Sequence, residues 1–320
     1  MRIDLAAAVE WLKSRDNILI LAHGNPDGDT LGGSFALLYA LEALGKRAAV
    51  KCIDEPHPKF GYLGSICSGD FAHDCVIAVD VADAALLGSG FKEMYGSKVD
   101  LCIDHHASNR EFAAMTLVDP SASAACEIVL QIIRALGVRV DKRIADCIYT
   151  GIATDTGCFR YANVTPRTMR MAAEMMEAGA DCVRINTVMF ETKTKTFIAL
   201  EKLALDSLRM YFDGRCAVIT VTRDMFRESG SDEREVDAIA PIPRQIEGVA
   251  VGVTMRERSD GRFKVSMRSG EEADVSEICA ALGGGGHRRA SGCEVAGPLE
   301  AAVKTVTDAV GKYLKENSLI

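Results

Sequence analysis

The sequence predicts an α/β protein in two parts: an N-terminal domain on a mostly parallel sheet and a smaller α/β domain with a mixed sheet after it. Three observations carry that reading. Short apolar runs in the first half, such as residues 18–22 and 75–79, show no polar alternation, which suits strands covered on both faces. Segments with apolar residues three and four apart separate those runs, as crossover helices do. Beyond residue 212 the texture changes to closely spaced strand candidates at 216–221, 249–255 and 263–267.

In order, residues 1–16 place Leu5, Val9 and Leu12 on one helical face. The strand at 18–22 runs into His23-Gly24-Asn25-Pro26-Asp27-Gly28-Asp29. That turn-forming stretch gathers one imidazole and two carboxylates where open α/β sheets bind ligands. A helix over 31–44 and a second strand over 48–53 follow, then the loop Asp54-Glu55-Pro56-His57-Pro58. The run 75–80 closes on Asp80, the run 99–106 ends in Asp104-His105-His106, and 115–118 is a short fifth strand. From 122 to 190 the pattern is helical. Ile128, Ile132 and Leu136 share one face, while Ile144, Ile148 and Ile152 share another, on a helix ending near Thr154-Asp155-Thr156-Gly157. These features predict a first domain over 1–190, a connecting helix over 191–211 and a second domain over 212–320. In the latter, a helix over 275–282 precedes Gly283-Gly284-Gly285-Gly286-His287, and a last helix covers 299–314.

Hydrophobic residues at 48% and charged residues at 26% fit a globular chain. No apolar run is long enough to span a bilayer, and the N-terminus lacks a signal-peptide pattern. The 11 cysteines form no C-x-x-C pair, and several lie inside apolar runs. Buried free thiols in a reducing compartment, hence a cytoplasmic protein, are expected. The net charge of -8 is spread over both domains. Neither offers the basic surface that holds long nucleic acid, so a polyanionic partner has to be short and held locally.

A carboxylate that closes an apolar strand is costly unless it is solvated, paired or bound to a metal. Here such ends recur at His23/Asp27/Asp29, at Asp80 and at Asp104-His105-His106, with Asp155 at a helix end. Carboxylates with some imidazole suit Mn²⁺ or Mg²⁺, and the absence of thiolate partners argues against structural zinc. The candidate ligands exceed the needs of one ion. Two ions on the order of 4 Å apart, sharing a bridging carboxylate, would use them all.

Taken in order, these clusters resemble the motifs of the DHH phosphoesterase superfamily. They match its H-x-x-P-D-x-D turn (His23, Pro26, Asp27, Asp29), its strand-ending Asp (Asp80), its name triplet (Asp104, His105, His106) and its T-D-T-G helix end (154–157). The stretch Gly283-Gly284-Gly285-Gly286-His287-Arg288-Arg289-Ala290-Ser291-Gly292 is similar to the signature of the DHH-associated domain. The resemblance implies two divalent cations, Mn²⁺ first with Mg²⁺ or Co²⁺ as alternatives, and an active-site cleft between the domains. One ion would be held by His23, Asp27 and Asp80, and the other by Asp29, Asp80, His105 and Asp155. Asp80, Asp104 and His106 would be the catalytic residues, with Asp104 orienting the neighbouring imidazole and His106 facing the scissile phosphate. Arg268 and the loop of Gly284, Gly285, Gly286 and His287 would grip the nucleotide, since consecutive glycines let backbone N–H groups cup an anion.

The implied activity is hydrolysis of short oligoribonucleotides to mononucleotides and of 3′-phosphoadenosine 5′-phosphate (PAP) to AMP. Linear or cyclic dinucleotides, pyrophosphate, polyphosphate and a non-catalytic nucleotide sensor are the alternatives. A homodimer is suggested by the resemblance alone, and neither long duplexes nor membranes are expected partners. One departure stands out. Ala124 and Ala125 occupy positions where the family pattern leads one to expect Ser and Thr.

Overall fold

Strands β1 (Ile18–Leu21), β2 (Ala48–Lys51), β3 (Cys75–Val79), β4 (Leu101–Asp104) and β5 (Met115–Val118) form a parallel sheet in the order β2-β1-β3-β4-β5. The computed structural model describes residues 1–231, 236 and 238–320. β1 and β3 are buried at every position, which explains their unbroken apolar runs. The chain steps outward from β1 to β2 and then crosses to β3 on the other side. The winding therefore reverses between β1 and β3, where α/β sheets place ligands beyond the carboxyl ends of their strands.

Helices cover both faces. On one side α1 (Leu5–Lys13), α2 (Gly28–Ala43), α4 (Ala125–Ala135), α5 (Lys142–Asp155) and α6 (Pro166–Glu177) bury Leu12, Leu37, Ile132, Ile148 and Met171 against Ile20, Ile77 and Ile103. On the other, α3 (Ser89–Tyr95) and adjoining loops cover Leu19, Leu21, Val76 and Ala78. The short α7 (Cys182–Asn186) completes this unit, which spans Met1–Thr192.

The second unit, Lys193–Ile320, holds a mixed six-stranded sheet in the order β10-β11-β9-β8-β7-β6. Its elements are α8 (Lys195–Asp206), β6 (Arg209–Tyr211), β7 (Cys216–Val221), α9 (Arg223–Ser229), β8 (Val251–Glu257), β9 (Arg262–Ser269), α10 (Val275–Ala281), β10 (Gly285–His287), β11 (Ala290–Ala296) and α11 (Leu299–Glu316). Only β7 and β8 run parallel. α10 and α11 bury Ile278, Val306 and Val310 against Val253, Val265 and Met267. α8 packs Phe197, Leu200 and Ala204 against Ile219 and Val221.

Three stretches differ from the sequence reading. α2 starts at Gly28 rather than 31, because Asp27 caps it by accepting the N–H of Asp29 (3.0 Å) and Thr30 (3.1 Å). Asp29 is thus in the first helical turn, and Gly28 is a helical residue, not a flexible link. Residues 191–211 hold α8 and β6, both of which belong to the second unit. The glycine run ends not as an open loop but as the edge strand β10, pairing Gly285, Gly286 and His287 with Gly292, Ser291 and Ala290. All 11 cysteines are free thiols. Among the described residues, no helix is long and apolar enough to cross a membrane.

The centre of the first unit is the crossing of α2 and α5. A Cβ on Gly32 would lie 2.4 Å from the Cys147 backbone oxygen, so only glycine permits that approach. Gly32→Ala should destabilise the protein by about 1–3 kcal/mol, read by denaturant unfolding. An unchanged midpoint would show that the crossing yields freely.

Candidate metal centre

The turn after β1 is shaped by hydrogen bonds that leave its ligating atoms free. The His23 N–H donates to Thr30 Oγ1 (3.3 Å), whose hydroxyl donates to the Val79 carbonyl (2.8 Å), tying the turn to the end of β3. His23 Nδ1–H donates to its neighbour Gly24 O (2.8 Å). The bare Nε2 therefore faces Asp27 Oδ1 at 3.6 Å and Asp80 Oδ2 at 3.7 Å. Gly28 is required here by contact, since a Cβ on it would meet Thr154 Oγ1 at 2.3 Å. The T-D-T-G helix end is thereby seated against this turn.

Asp80 follows β3 with φ 61°, a left-handed backbone that few residues other than Gly, Asn and Asp adopt. Such conformations persist where surrounding structure enforces them. Its side chain is 5% exposed, and its two oxygens face opposite ways, Oδ2 toward His23 and Oδ1 toward His105 Nε2 at 3.6 Å. His105 repeats the arrangement of His23. Nδ1–H donates to Ala122 O (3.2 Å), so Nε2 points at Asp80, at Asp155 Oδ2 (3.4 Å) and at Asp29 Oδ2 (3.9 Å). Asp29 is fully buried, and the start of α4 holds it: Oδ2 accepts the Ala125 N–H (2.6 Å) and Oδ1 the Cys126 N–H (2.9 Å).

The third member of the triplet is turned outward. His106 Nδ1–H donates to Asp104 Oδ1 (2.8 Å), whose Oδ2 accepts from Asn109 Nδ2 (2.6 Å). His106 keeps 44% of its side chain exposed, whereas Asp104 is buried. The Asp104 hydrogen bond raises the His106 pKa above the ordinary imidazole value, despite partial burial. Burial would raise Asp104 itself, but the hydrogen bonds from His106 and Asn109 outweigh it and hold the carboxyl below its usual range.

The remaining carboxyls behave differently. Burial, then the charges of Asp29 and Asp27, push Asp80 well above the usual carboxylate range. The same causes raise Asp155 to about 8. Burial also raises Asp29, with His105 opposing it. Acids pressed together this way need a compensating cation. His105 Nε2 and Asp80 Oδ1 are buried with no hydrogen-bond partner. Their 3.6 Å gap and those around them are too long for hydrogen bonds. They fall within the ~4.2 Å limit for atoms each ~2.1 Å from one ion. Three groups have ligand atoms within 4.8 Å of one another: His23/Asp27/Asp80, Asp29/His105/Asp155 and Asp80/His105/His106. The donor set, oxygen with imidazole and no thiolate, fits hard divalent cations.

All the residues singled out in the first unit thus converge on one place. Those of the second unit are Arg268, on β9, whose Nη1–H donates to Met267 O (3.0 Å), and the exposed Gly285, Gly286 and His287 of β10, with Gly284 just before it. Sequence reasoning missed Asn109 and Asn163. Asn163 Nδ2 donates to the carbonyls of Ser123 (3.0 Å) and Asp155 (3.2 Å). Neither sits in a motif, and no spacing signals them. The departure at Ala124 and Ala125 falls at the start of α4, which holds Asp29 through the backbone N–H groups of Ala125 and Cys126 and not through a hydroxyl.

Residues 17–152 match the DHH family, N-terminal domain, and residues 213–316 match the DHHA1 domain. The chain is 34% identical over 310 residues to the bifunctional oligoribonuclease and PAP phosphatase NrnA of Thermus thermophilus, covering 93% of this chain and 90% of that one. It is 24% identical over 287 residues to the Bacillus subtilis protein of the same name, covering 88% and 90%. Among solved structures, an exopolyphosphatase-related protein from Bacteroides fragilis superposes with a TM-score of 0.88 at 25% identity, covering 98% and 97% of the two chains.

Because Asp80 and Asp155 hold protons more tightly than ordinary carboxyls, a cation must displace those protons to bind. Calorimetric titration with Mn²⁺ at pH 7, in buffers of different ionisation enthalpy, should register net proton release. Apparent affinity should weaken as pH falls below about 8. Heats independent of the buffer would contradict this electrostatic picture.

Proposed function

The chain belongs to the DHH family, and from that premise we propose that it is a two-metal phosphoesterase hydrolysing short oligoribonucleotides to mononucleotides and PAP to AMP. The observation that carries the reading is the buried, unpartnered pair of His105 Nε2 and Asp80 Oδ1 amid carboxylates. Enzymes of this family depend on metal, and Mn²⁺ is the ion we assign. His23, Asp27 and Asp80 would hold one ion, and Asp29, His105 and Asp155, together with Asp80, would hold the other. When bound, the ions supply charge neutralisation on the phosphoryl oxygens and an acidified water.

The chain's own groups do the rest. His106, whose proton affinity the hydrogen bond to Asp104 raises, donates a hydrogen bond toward the phosphoryl group and stabilises charge that develops there. Within the second unit we assign anion binding to Arg268 with Gly284, Gly285, Gly286 and His287. Support for short substrates comes from the names of the relatives and from a net charge of -8, unsuited to long nucleic acid. The protein is assigned to the cytoplasm on its free, largely buried cysteines.

A panel of dinucleotides, PAP, cyclic dinucleotides, pyrophosphate and polyphosphate tests the substrate assignment, with turnover expected on the first two. Preferential turnover of pyrophosphate or polyphosphate would overturn it. Asp80→Asn should lower kcat on dinucleotides by about 10³-fold with the fold retained, since a bridging charge is lost. Retained turnover would remove the two-ion assignment. The His106 imidazolium is lost as pH rises through its raised pKa, so activity should decline on the alkaline side. Asp104→Asn removes the charge that raises it. The decline should move to lower pH, with kcat falling about 10²-fold. An unmoved profile would show that His106 does not act as a cation.

A further inference from the structure

One short segment, residues 122–126, bonds directly to Asp29 and His105 and reaches the backbone of Asp155 through Asn163. Its Ala125 and Cys126 N–H groups hold the two oxygens of Asp29. Its Ala122 carbonyl accepts His105 Nδ1–H and so fixes the tautomer that bares Nε2. Its Ser123 carbonyl shares the Asn163 side-chain amide with the Asp155 carbonyl. By contrast, the His23/Asp27/Asp80 group has no hydrogen bond to this segment among the described residues.

The segment is itself clamped from behind. Glu127, fully buried in the first turn of α4, accepts from Ser123 Oγ (2.6 Å) and Thr168 Oγ1 (2.7 Å) through Oε1, and from Arg167 Nε (2.7 Å) through Oε2. Arg167 also donates from Nη1 to Asp119 Oδ2 (3.0 Å), and the Asp119 carbonyl accepts the Ala122 N–H (3.0 Å). The guanidinium on α6 thus grips the carboxylates that flank residues 122–126 on either side. A buried carboxylate deprived of its cationic partner does not stay in place.

We infer that Arg167, with Glu127 and Asp119, is a positioning device for one ion of the pair: the ion of Asp29, His105 and Asp155. This rests on the two-ion reading above. It predicts a selective effect, because the groups it steadies belong to one ion only. Among the described residues, the Arg167 guanidinium pairs with Glu127 and Asp119 and with none of the ligating carboxylates, so it acts through the backbone of 122–126. Lysine cannot replace it fully, since an ammonium lacks the planar fork that serves two acceptors at once.

The test is Mn²⁺ binding, followed by calorimetry and by electron paramagnetic resonance of the free ion. Wild-type protein should bind two Mn²⁺. In Arg167→Met one of them should weaken by about 10- to 100-fold while the other stays within about twofold, with Arg167→Lys in between. Asp119→Asn, a milder change, should weaken the same ion and serves if Arg167→Met does not fold. Arg134 pairs with Glu174 and links the same two helices at a distance from residues 122–126, so it separates positioning from simple stability. Arg134→Ala should leave both affinities unchanged. Two unchanged ions in Arg167→Met and Asp119→Asn, equal weakening of both, or the same loss in Arg134→Ala would overturn the assignment. A wild-type protein that takes up fewer than two Mn²⁺ would instead overturn the two-ion reading on which it rests.

Discussion

The carboxylates of Asp29, Asp80 and Asp155 face a common space, with the more exposed Asp27 at its rim, and their repulsion is the constraint the first unit is built to contain. Asp80 and Asp29 are almost wholly buried, so neither can turn to solvent. Burial first, and the charges of neighbouring carboxylates after it, raise the proton affinity of Asp29, Asp80 and Asp155. A bound metal ion would make the same arrangement favourable, since its charge would offset the repulsion among the acids.

Holding the acids in place takes several separate devices. The left-handed backbone at Asp80 aims one side chain at two histidines. Carbonyl acceptors at Gly24 and Ala122 take the Nδ1 proton of His23 and His105, so both rings offer Nε2. Asp27 caps α2 and still faces His23, while the first turn of α4 cradles Asp29. Asp104, fully buried, serves His106 alone of the rings. These devices come from β1, β3, β4 and the helices packed behind them, at the point where the sheet reverses its winding. That position is why residues spread over more than half of the unit's length can meet.

Much of this was legible in the chain itself. Apolar runs located β1, β3 and β4, and the residue ending each run (His23, Asp80 and Asp104) marked the edge where the site lies. The ordered motifs named the residues that converge. What escaped has a common physical cause: it depends on contacts that leave no local pattern. The start of α2 moved to Gly28 because the Asp27 side chain caps it, and a cap competes with the turn propensity of the same residues. β10 and β11 were hidden because glycine carries little strand preference, and cross-strand pairing supplied what propensity did not. Arg167 and Glu127 are 40 residues apart and meet only through packing of α6 on the first unit's core. Ala125 holds Asp29 by its N–H, which no side-chain identity reveals.

The proposed two-ion site requires Asp80 to join two cations, one on each of its oxygens. Anomalous scattering at the manganese edge, from crystals grown with Mn²⁺, measures this directly. Two peaks should flank the Asp80 carboxylate, one within bonding reach of His23 and Asp27 and the other within reach of His105 and Asp155. A single peak, or peaks that leave Asp80 out of bonding distance, would contradict it.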